Sequence, residues 1–253
     1  MSKLLRRTLF TGASALALTF SAAAIGWSFT WGSGETVRGD GKMARETRDL
    51  SGFEAISLAG HFDVKVRQSA GSRVQLEAES NLLPYIETRV SDGRHGKTLE
   101  ITIKRGYNVQ SREPMRVEVD LPMLRSLGIA GSGKASVESM KTEQLRLAVA
   151  GSGSVNAPQV EAGKLTLSIA GSGDIDVGGK AAEMDVSIAG SGDVRARELT
   201  GDAVKVSISG SGDAEVNAKQ RLKVSIAGSG DVRYRGEPQM ETSVAGSGSV
   251  RKL

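Results

Sequence analysis

The chain of 253 residues contains no cysteine, five prolines and few aromatic residues, which make up 4% of the sequence. Without cysteine the protein cannot form disulfides or carry a lipid on an N-terminal cysteine, so its fold must be stable without covalent cross-links. A chain so poor in aromatic residues is poorly suited to a wide core. Its 32 glycines instead indicate many tight turns around thin layers of small aliphatic side chains.

An apolar run near the N-terminus follows a short basic segment. Three basic residues precede the run that begins at Leu9, and the small residues 22–24 suit signal peptidase. We therefore predict that residues 1–24 are a signal peptide that exports the protein to the periplasm or cell envelope. The apolar stretch 9–31 is also long enough to tether an uncleaved chain to the inner membrane.

The domain organisation follows from the patterns beyond this segment. Residues 25–46 contain five glycines and no apolar period, so we predict a linker there. Residues 47–128 are predicted to form an irregular N-terminal part of the fold, and 129–253 a regular repeat region.

The net charge argues against nucleic acid as a partner. The formal charge of the whole chain is +4, but residues 1–24 carry three basic and no acidic residues, so the mature protein carries about +1. No basic cluster interleaved with aromatic residues follows.

Gly-Ser-Gly recurs seven times, at intervals of 18–20 residues. Apolar residues alternate with polar ones on both sides of each copy, as in Leu165, Leu167 and Ile169, and this period is typical of half-buried strands. Each glycine pair is predicted to turn the chain sharply. The predicted turn glycines are Gly131, Gly133, Gly151, Gly153, Gly171, Gly173, Gly190, Gly192, Gly210, Gly212, Gly228, Gly230, Gly246 and Gly248.

The repeat length selects the fold class. A unit of 18–20 residues with two or three short strands is too short for a strand-plus-helix repeat and suits one rung of a β-helix. We therefore predict an all-β parallel β-helix, a solenoid in which each rung stacks on the last and the inward aliphatic residues form continuous ladders.

Two rows of polar residues are predicted to line the outside of this stack. The serine row lies two residues before the Ala-Gly corner, and the aspartate row follows the second corner glycine. The members are Ser168, Ser187, Ser207, Ser225 and Ser243, and Asp174, Asp193, Asp213 and Asp231. We expect the aspartates to accept hydrogen bonds from turn amides; calcium is the alternative, although one aspartate per rung supplies only about half of the ligands it needs.

The irregular part contains an early copy of the repeat. Residues 57–64 align with 187–194, with His61 and Phe62 in place of the serine and the second glycine, so we expect a degenerate first rung in which Phe62 covers the open end. Residues 81–87 are predicted to form one short capped helical turn.

Four segments of this part resemble a known family. They are DLSGFEAISLAGHFDVKVRQ (49–68), ESNLLPYIETRVSDG (79–93), LEITIKRGYNV (99–109) and VEVDLPMLRSLGIAGSG (117–133). The chain resembles, over about 47–250, the bacterial head GIN domain family of auto-transporter adhesins. The resemblance implies an exported protein with a right-handed parallel β-helix fold, and it brings no established catalytic residues.

The sequence favours a non-catalytic envelope module that binds a polysaccharide, an envelope component or another protein through its long faces, with the serine and aspartate rows as candidate contacts. One alternative is a pectinase-like enzyme, since neighbouring rungs could bring Asp174 near Asp193 at the 5–10 Å that glycoside hydrolysis requires. Another is a structural, calcium-stabilised envelope protein whose last rung, near Val250, pairs with another copy.

Overall fold

Alternating apolar residues form the inside of stacked strands in the computed structural model, which describes residues 34–253. In one such ladder Leu167, Val186, Val206 and Val224 pair from rung to rung, and all four side chains are buried. Because only one side chain per rung enters each ladder, the core is narrow and long. Small aliphatic residues suffice to fill it.

The first half of the described chain consists of nine strands and one 3-10 helical turn. They are β1 (Glu35–Arg38), β2 (Met43–Arg48), β3 (Ala55–Ala59), β4 (Phe62–Gln68), β5 (Arg73–Glu79), the turn Leu83–Tyr85, β6 (Ile86–Gly93), β7 (Gly96–Ile103), β8 (Tyr107–Gln110) and β9 (Met115–Leu121).

The second half consists of ten strands, several of which bend around a corner without interruption. They are β10 (Ser126–Gly131), β11 (Lys134–Val137), β12 (Met140–Gly151), β13 (Ser154–Gly171), β14 (Asp174–Gly190), β15 (Asp193–Gly210), β16 (Ala214–Gly228), β17 (Asp231–Arg235), β18 (Gln239–Gly246) and β19 (Ser249–Lys252).

Successive rungs pair in parallel, with the Gly-Ser-Gly corners in register. The first glycines of the corners form one column from Gly131 through Gly151, Gly171, Gly190, Gly210 and Gly228 to Gly246. The described residues therefore form a β-solenoid of about six turns, which confirms the predicted fold class.

The early copy of the repeat has the predicted register but not the predicted place. β3 pairs with β10 on one side and with β7 on the other, and β4 lies in the same way between β11 and β9. The rung made by β3 and β4 is therefore internal. The expectation that Phe62 covers an open end is wrong: its ring is fully buried between neighbouring rungs.

Antiparallel strands close this end of the solenoid. β6 pairs with β7, and β5 pairs with β9 on one edge and with β2 on the other. The linker predicted over 25–46 is thus wrong for its second half, because β1 and most of β2 fall within it. β1 pairs in parallel with β8. The strand pattern was hidden because β2 is mostly polar and is held by backbone pairing.

The predicted helical turn is shorter than expected. Only Leu83–Tyr85 are helical, and Pro84 lies at the start of this 3-10 turn. Asn81 does not cap it; its side chain accepts a hydrogen bond from the Asp40 amide and donates one to the Arg38 carbonyl.

Residues Gly34–Leu253 form one compact unit, so the structure sets no boundary between the predicted parts 47–128 and 129–253. Within this unit no helix has the length and apolarity needed to span a membrane. The predicted signal peptide 1–24 and the predicted tether 9–31 both precede it and lie outside the described residues.

Candidate functional site

The corner of each rung is built from backbone groups, as at residues 190–192. Gly190 has φ of +126°, a conformation that residues with a side chain rarely adopt. The Ser191 amide donates to the carbonyl of Gly171 in the preceding rung at 2.9 Å. A Cβ at Gly190 would overlap that same carbonyl oxygen. A Cβ at Gly192 would meet the backbone of Gly173 and the side chain below it.

The aspartate row lies directly beyond this corner and is tied to the next rung. An oxygen of Asp193 accepts from the Asp213 amide at 3.1 Å, and one of Asp213 accepts from the Asp231 amide at 2.9 Å. Asp231 accepts from both the amide and the hydroxyl of Ser249, at 2.9 and 2.7 Å. These hydrogen bonds, led by that from the Ser249 hydroxyl, lower the pKa of Asp231.

Arginine side chains neutralise the same row. The guanidinium of Arg195 lies 3.5 Å from Asp174, 3.4 Å from Asp176 and 3.3 Å from Asp193. A cation placed among stacked carboxylates removes the repulsion that would otherwise favour metal binding. Among residues 34–253 no three acidic or histidine side chains are grouped closely enough to hold a metal ion. We therefore do not propose a calcium site in this row.

The serine row forms a straight column on the outer face of the long strands. Ser168, Ser187, Ser207, Ser225 and Ser243 pair with one another in that order. A second column of small residues, which includes Ala170, Ala189 and Ala227, runs beside it two positions later in each strand. This part of the face is flat because none of these side chains extends beyond its neighbours.

A groove of about 870 Å³ crosses several rungs on another part of the surface. Its floor is made of small residues, among them Ala162, Gly163 and Ala181. Its walls include Gln68, Met123, Arg125, Lys141, Glu143, Glu161, Lys180, Thr200, Asp202 and Lys219. The groove is therefore lined by hydrogen-bonding and charged side chains with no aromatic residue among them.

Lysines are spaced along this groove at alternate rungs. Lys141, Glu161, Lys180 and Thr200 pair in register, so a carboxylate separates the first two ammonium groups. Glu161 lies 3.0 Å from Lys141 and 3.4 Å from Lys180. The hydrogen bond from Lys141, followed by that from Lys180, lowers the pKa of Glu161. Lys219 adds a further basic group toward the C-terminal end of the groove.

Sequence reasoning missed this groove. Its floor depends on small residues such as Ala162 and Ala181, which lie midway along β13 and β14. Its wall includes Pro122, Met123 and Arg125, which belong to the loop between β9 and β10 in the irregular part. The recurrence of lysine at 141 and 180 was visible, but the contribution of the distant loop was not.

Glu79 lies in the irregular part and is fully buried, but it serves the fold. Its carboxylate accepts hydrogen bonds from the Gly41 amide at 2.7 Å, the Ser111 hydroxyl at 2.7 Å and the Arg112 amide at 2.9 Å. The bond from Ser111 makes the largest contribution to a lowered pKa. A side chain at Gly39 would collide with this carboxylate. Glu79 therefore joins two loops at the closed end of the solenoid.

The arrangement offers little support for the enzyme alternative. A general acid needs a raised pKa, whereas Asp231 has a lowered one and the carboxylates of Asp193 and Asp213 already bond to amides. His61 stacks on Phe62, with ring centroids 6.4 Å apart. Partial burial, with Arg146 and Arg94, lowers the pKa of His95.

The described residues define a class of protein: a β-solenoid whose corner rows stabilise the stack and whose outer surface carries a long groove edged by charged side chains. More particularly, the chain belongs to the family described as "Putative auto-transporter adhesin, head GIN domain", whose model matches residues 52–238. No curated protein matches it in sequence.

Solved structures share the fold over most of the chain. A "putative lipid binding protein" from Parabacteroides distasonis is 25% identical, with 87% of this chain and 100% of that chain covered and a TM-score of 0.73. A "putative adhesin" from Parabacteroides merdae is 26% identical, with coverages of 87% and 99% and a TM-score of 0.70. One from Bacteroides fragilis is 22% identical, with coverages of 86% and 100% and a TM-score of 0.77, and shows the fold alone.

The names of the family and of these neighbours are those of adhesins and binding proteins. They are consistent with a non-catalytic, adhesion-like module in an extracellular or envelope location.

Proposed function

We propose that the protein is a non-catalytic binding module, exported to the cell envelope by its N-terminal segment, that holds an extended acidic polysaccharide along the groove. The observation that carries this proposal is the continuity of the groove across the rungs that contain Lys141, Glu161, Lys180, Thr200 and Lys219. We propose the non-catalytic role and the export together with the ligand.

The shape of the groove favours a linear ligand. Rungs are about 4.8 Å apart, so a groove that spans five of them is roughly 19 Å long. A chain of sugars can lie along such a surface and make the same weak contact at each step, which raises affinity through multiple contacts. A compact ligand would leave most of this length unused.

The lining favours an acidic ligand rich in hydroxyl groups. The four basic side chains of the lining outnumber its three acidic ones, and their N–H groups, with the threonine hydroxyls, donate to carboxylate and hydroxyl oxygens. The absence of aromatic residues from the lining means that recognition would depend on hydrogen bonds and charge and not on stacking against sugar rings. Such a site discriminates by the charge of the polymer.

A glycan array probed with the exported protein tests the proposal. We expect binding to acidic polysaccharides to weaken about tenfold or more in the double variant Lys180→Glu with Lys219→Glu, because each charge reversal replaces an attraction of about 1 kcal/mol or more with a repulsion. Arg94→Glu with Arg105→Glu provides the matched control, because these two exposed residues make the same change of charge outside the groove.

Equal binding of neutral and acidic glycans, or equal loss in the control, would refute the proposal. Release of shortened products from the bound polysaccharide would instead favour the enzyme alternative. Ser187→Ala with Ser207→Ala tests the serine row as a second contact face, and we expect a smaller loss there because hydroxyl groups contribute less than charges.

A further inference from the structure

The C-terminal end of the solenoid is open in the described structure. β18 pairs with β16 and β19 pairs with β17, each on one edge only. The inward residues of β18 are consequently exposed: Met240 is 41% and Val244 43% exposed, whereas Leu222 and Ile226, on which they stack, are buried. Apolar side chains and unpaired backbone groups therefore lie together at this end.

The opposite end offers no matching apolar surface. There β6 and β5 run antiparallel to β7 and β9, and β2 covers β5, so the outermost strands at that end are β6 and β2. Both consist mostly of charged and polar residues, so a head-to-tail fibre would place Met240 and Val244 against polar strands. The C-terminal rung finds an apolar partner in the same rung of a second copy.

We propose that two copies of this chain associate through their C-terminal rungs, with β18 of one copy paired antiparallel to β18 of the other about a two-fold axis at Thr242. In this register Met240 faces the second copy's Val244 on the inner side. On the outer side Glu241 faces the second copy's Ser243. The interface is independent of the groove and of the proposed polysaccharide.

The register follows from the strand sequence. Displacing the axis by one residue toward the N-terminus places Glu241 opposite its own copy, and like charges directly opposite are destabilising. Displacing it by one residue the other way pairs Met240 with Gly246 and leaves the methionine without an apolar partner. A two-fold axis between residues would pair inward with outward side chains, which the pleat does not allow.

The basic residues at the end of the chain do not oppose this pairing. Arg251 and Lys252 belong to β19, which follows the Gly-Ser-Gly corner and lies on a different segment of the rung. Because the two-fold axis passes through β18, Arg251 and Lys252 lie away from the axis and far from the same residues of the second copy. They therefore protect β19 from other pairings without preventing this one.

The absence of cysteine allows a direct test in the full-length chain, purified in detergent. Thr242→Cys provides a single thiol at the axis, and we expect oxidation or a short bis-maleimide to convert most of the protein to a covalent dimer. Ser225→Cys is the matched control, one rung earlier and also exposed. Its copies would lie at least about 14 Å apart, since three strand spacings separate them, and this is too far for a disulfide.

Adding Val244→Lys to the Thr242→Cys variant should abolish cross-linking, because it places charges in the apolar interface. Circular dichroism checks that this variant keeps its strands. The proposal is overturned if Thr242→Cys cross-links no better than Ser225→Cys, or if Val244→Lys leaves the yield of dimer unchanged.

Discussion

At the scale of the residue, a corner position requires glycine for two reasons, and each of them excludes any side chain. Gly190 takes a backbone conformation with φ of +126°, and its missing Cβ leaves space for the carbonyl of Gly171. That carbonyl accepts the Ser191 amide, so the corner hydrogen bond and the glycine depend on the same space. The serine hydroxyl is not needed for the bond.

Gly190→Ala should therefore destabilise the protein by about 2 kcal/mol or more, from the strained conformation together with the overlap. Urea unfolding at neutral pH measures this loss. Ser191→Ala should change stability by less than about 0.5 kcal/mol, because the exposed hydroxyl leaves while the amide stays. Equal losses in the two variants would contradict this account of the corner.

Glu79 is the residue whose titration couples to folding most directly. Its carboxylate accepts three hydrogen bonds in a fully buried place, and its pKa lies below the ordinary value of 4.5. A group with a lowered folded-state pKa contributes stability above its unfolded value. That contribution is lost as the pH falls through the folded value.

We expect Glu79→Gln to lower the urea midpoint at pH 7, because the amide nitrogen of glutamine would face groups that donate hydrogen bonds. The difference from the unmodified protein should shrink as the pH falls below 4.5, where the glutamate itself becomes protonated. Urea titrations at pH 7, 4.5 and 3 follow this convergence. A difference that stays constant with pH would show that the charge of Glu79 does not matter.

At the scale of the element, the rungs that contain Asp193, Asp213 and Asp231 are each fastened to the following rung by a contact between a carboxylate and a backbone amide. The aspartate of one rung accepts from the amide that follows the corner of the next, as between Asp213 and Asp231. The arginine two positions after an aspartate then neutralises the row, as Arg195 does for Asp193. The aspartate row therefore holds neighbouring rungs together through hydrogen bonds and ion pairs.

Asp213→Ala should cost about 1 kcal/mol, because the Asp231 amide loses its acceptor. Asp213→Asn should cost about 0.5 kcal/mol or less, because the side-chain oxygen is kept and only the charge is lost. Thermal melting with and without millimolar calcium compares the two variants with the unmodified protein. Stabilisation by calcium that both variants abolish would restore the metal hypothesis.

The regular elements were predictable from the sequence because every rung repeats the same alternation of apolar residues and the same pair of corner glycines. Two-residue alternation gives the inner face and glycine pairs give the corners, so the register of the segments that flank the corners in β12 to β16 follows from spacing. The register shifts within the rungs, as between Ala196 and Thr200, do not. β2 escaped prediction because its residues, Met43–Arg48, are mostly polar and its partner is β5, about 30 positions later. Local patterns cannot specify such a pairing.

The position of the rung formed by β3 and β4 was unpredictable for a related reason. The chain leaves this rung, adds β7 and β9 on its outer side, and then returns to β10 on its inner side. Residues 57–64 have the repeat pattern in either arrangement, since the pattern specifies an inner face but not the neighbour. The groove wall at Met123 depends on the same return of the chain.

The whole molecule has two unlike ends, and this asymmetry governs how it tolerates shortening. Stability in a solenoid is roughly the sum of the contributions of each rung and of the contacts between neighbours. Removing the last rung therefore exposes an end of the same kind as before. Removing the closing strands exposes a different surface, because β2 covers the edge of β5 and the Gly41 amide bonds to Glu79.

Deletion of residues 34–48 should consequently do far more damage than deletion of the similarly sized C-terminal segment 236–253. The first deletion takes away two strands, β1 and β2, and one of three hydrogen bonds to the buried Glu79 carboxylate. We expect a protein that aggregates or binds a dye for exposed apolar surface. The second should leave a folded solenoid with a lower urea midpoint. Strand content by circular dichroism and solubility after export compare the two, and equal tolerance would show that the closed end is not required for the stack.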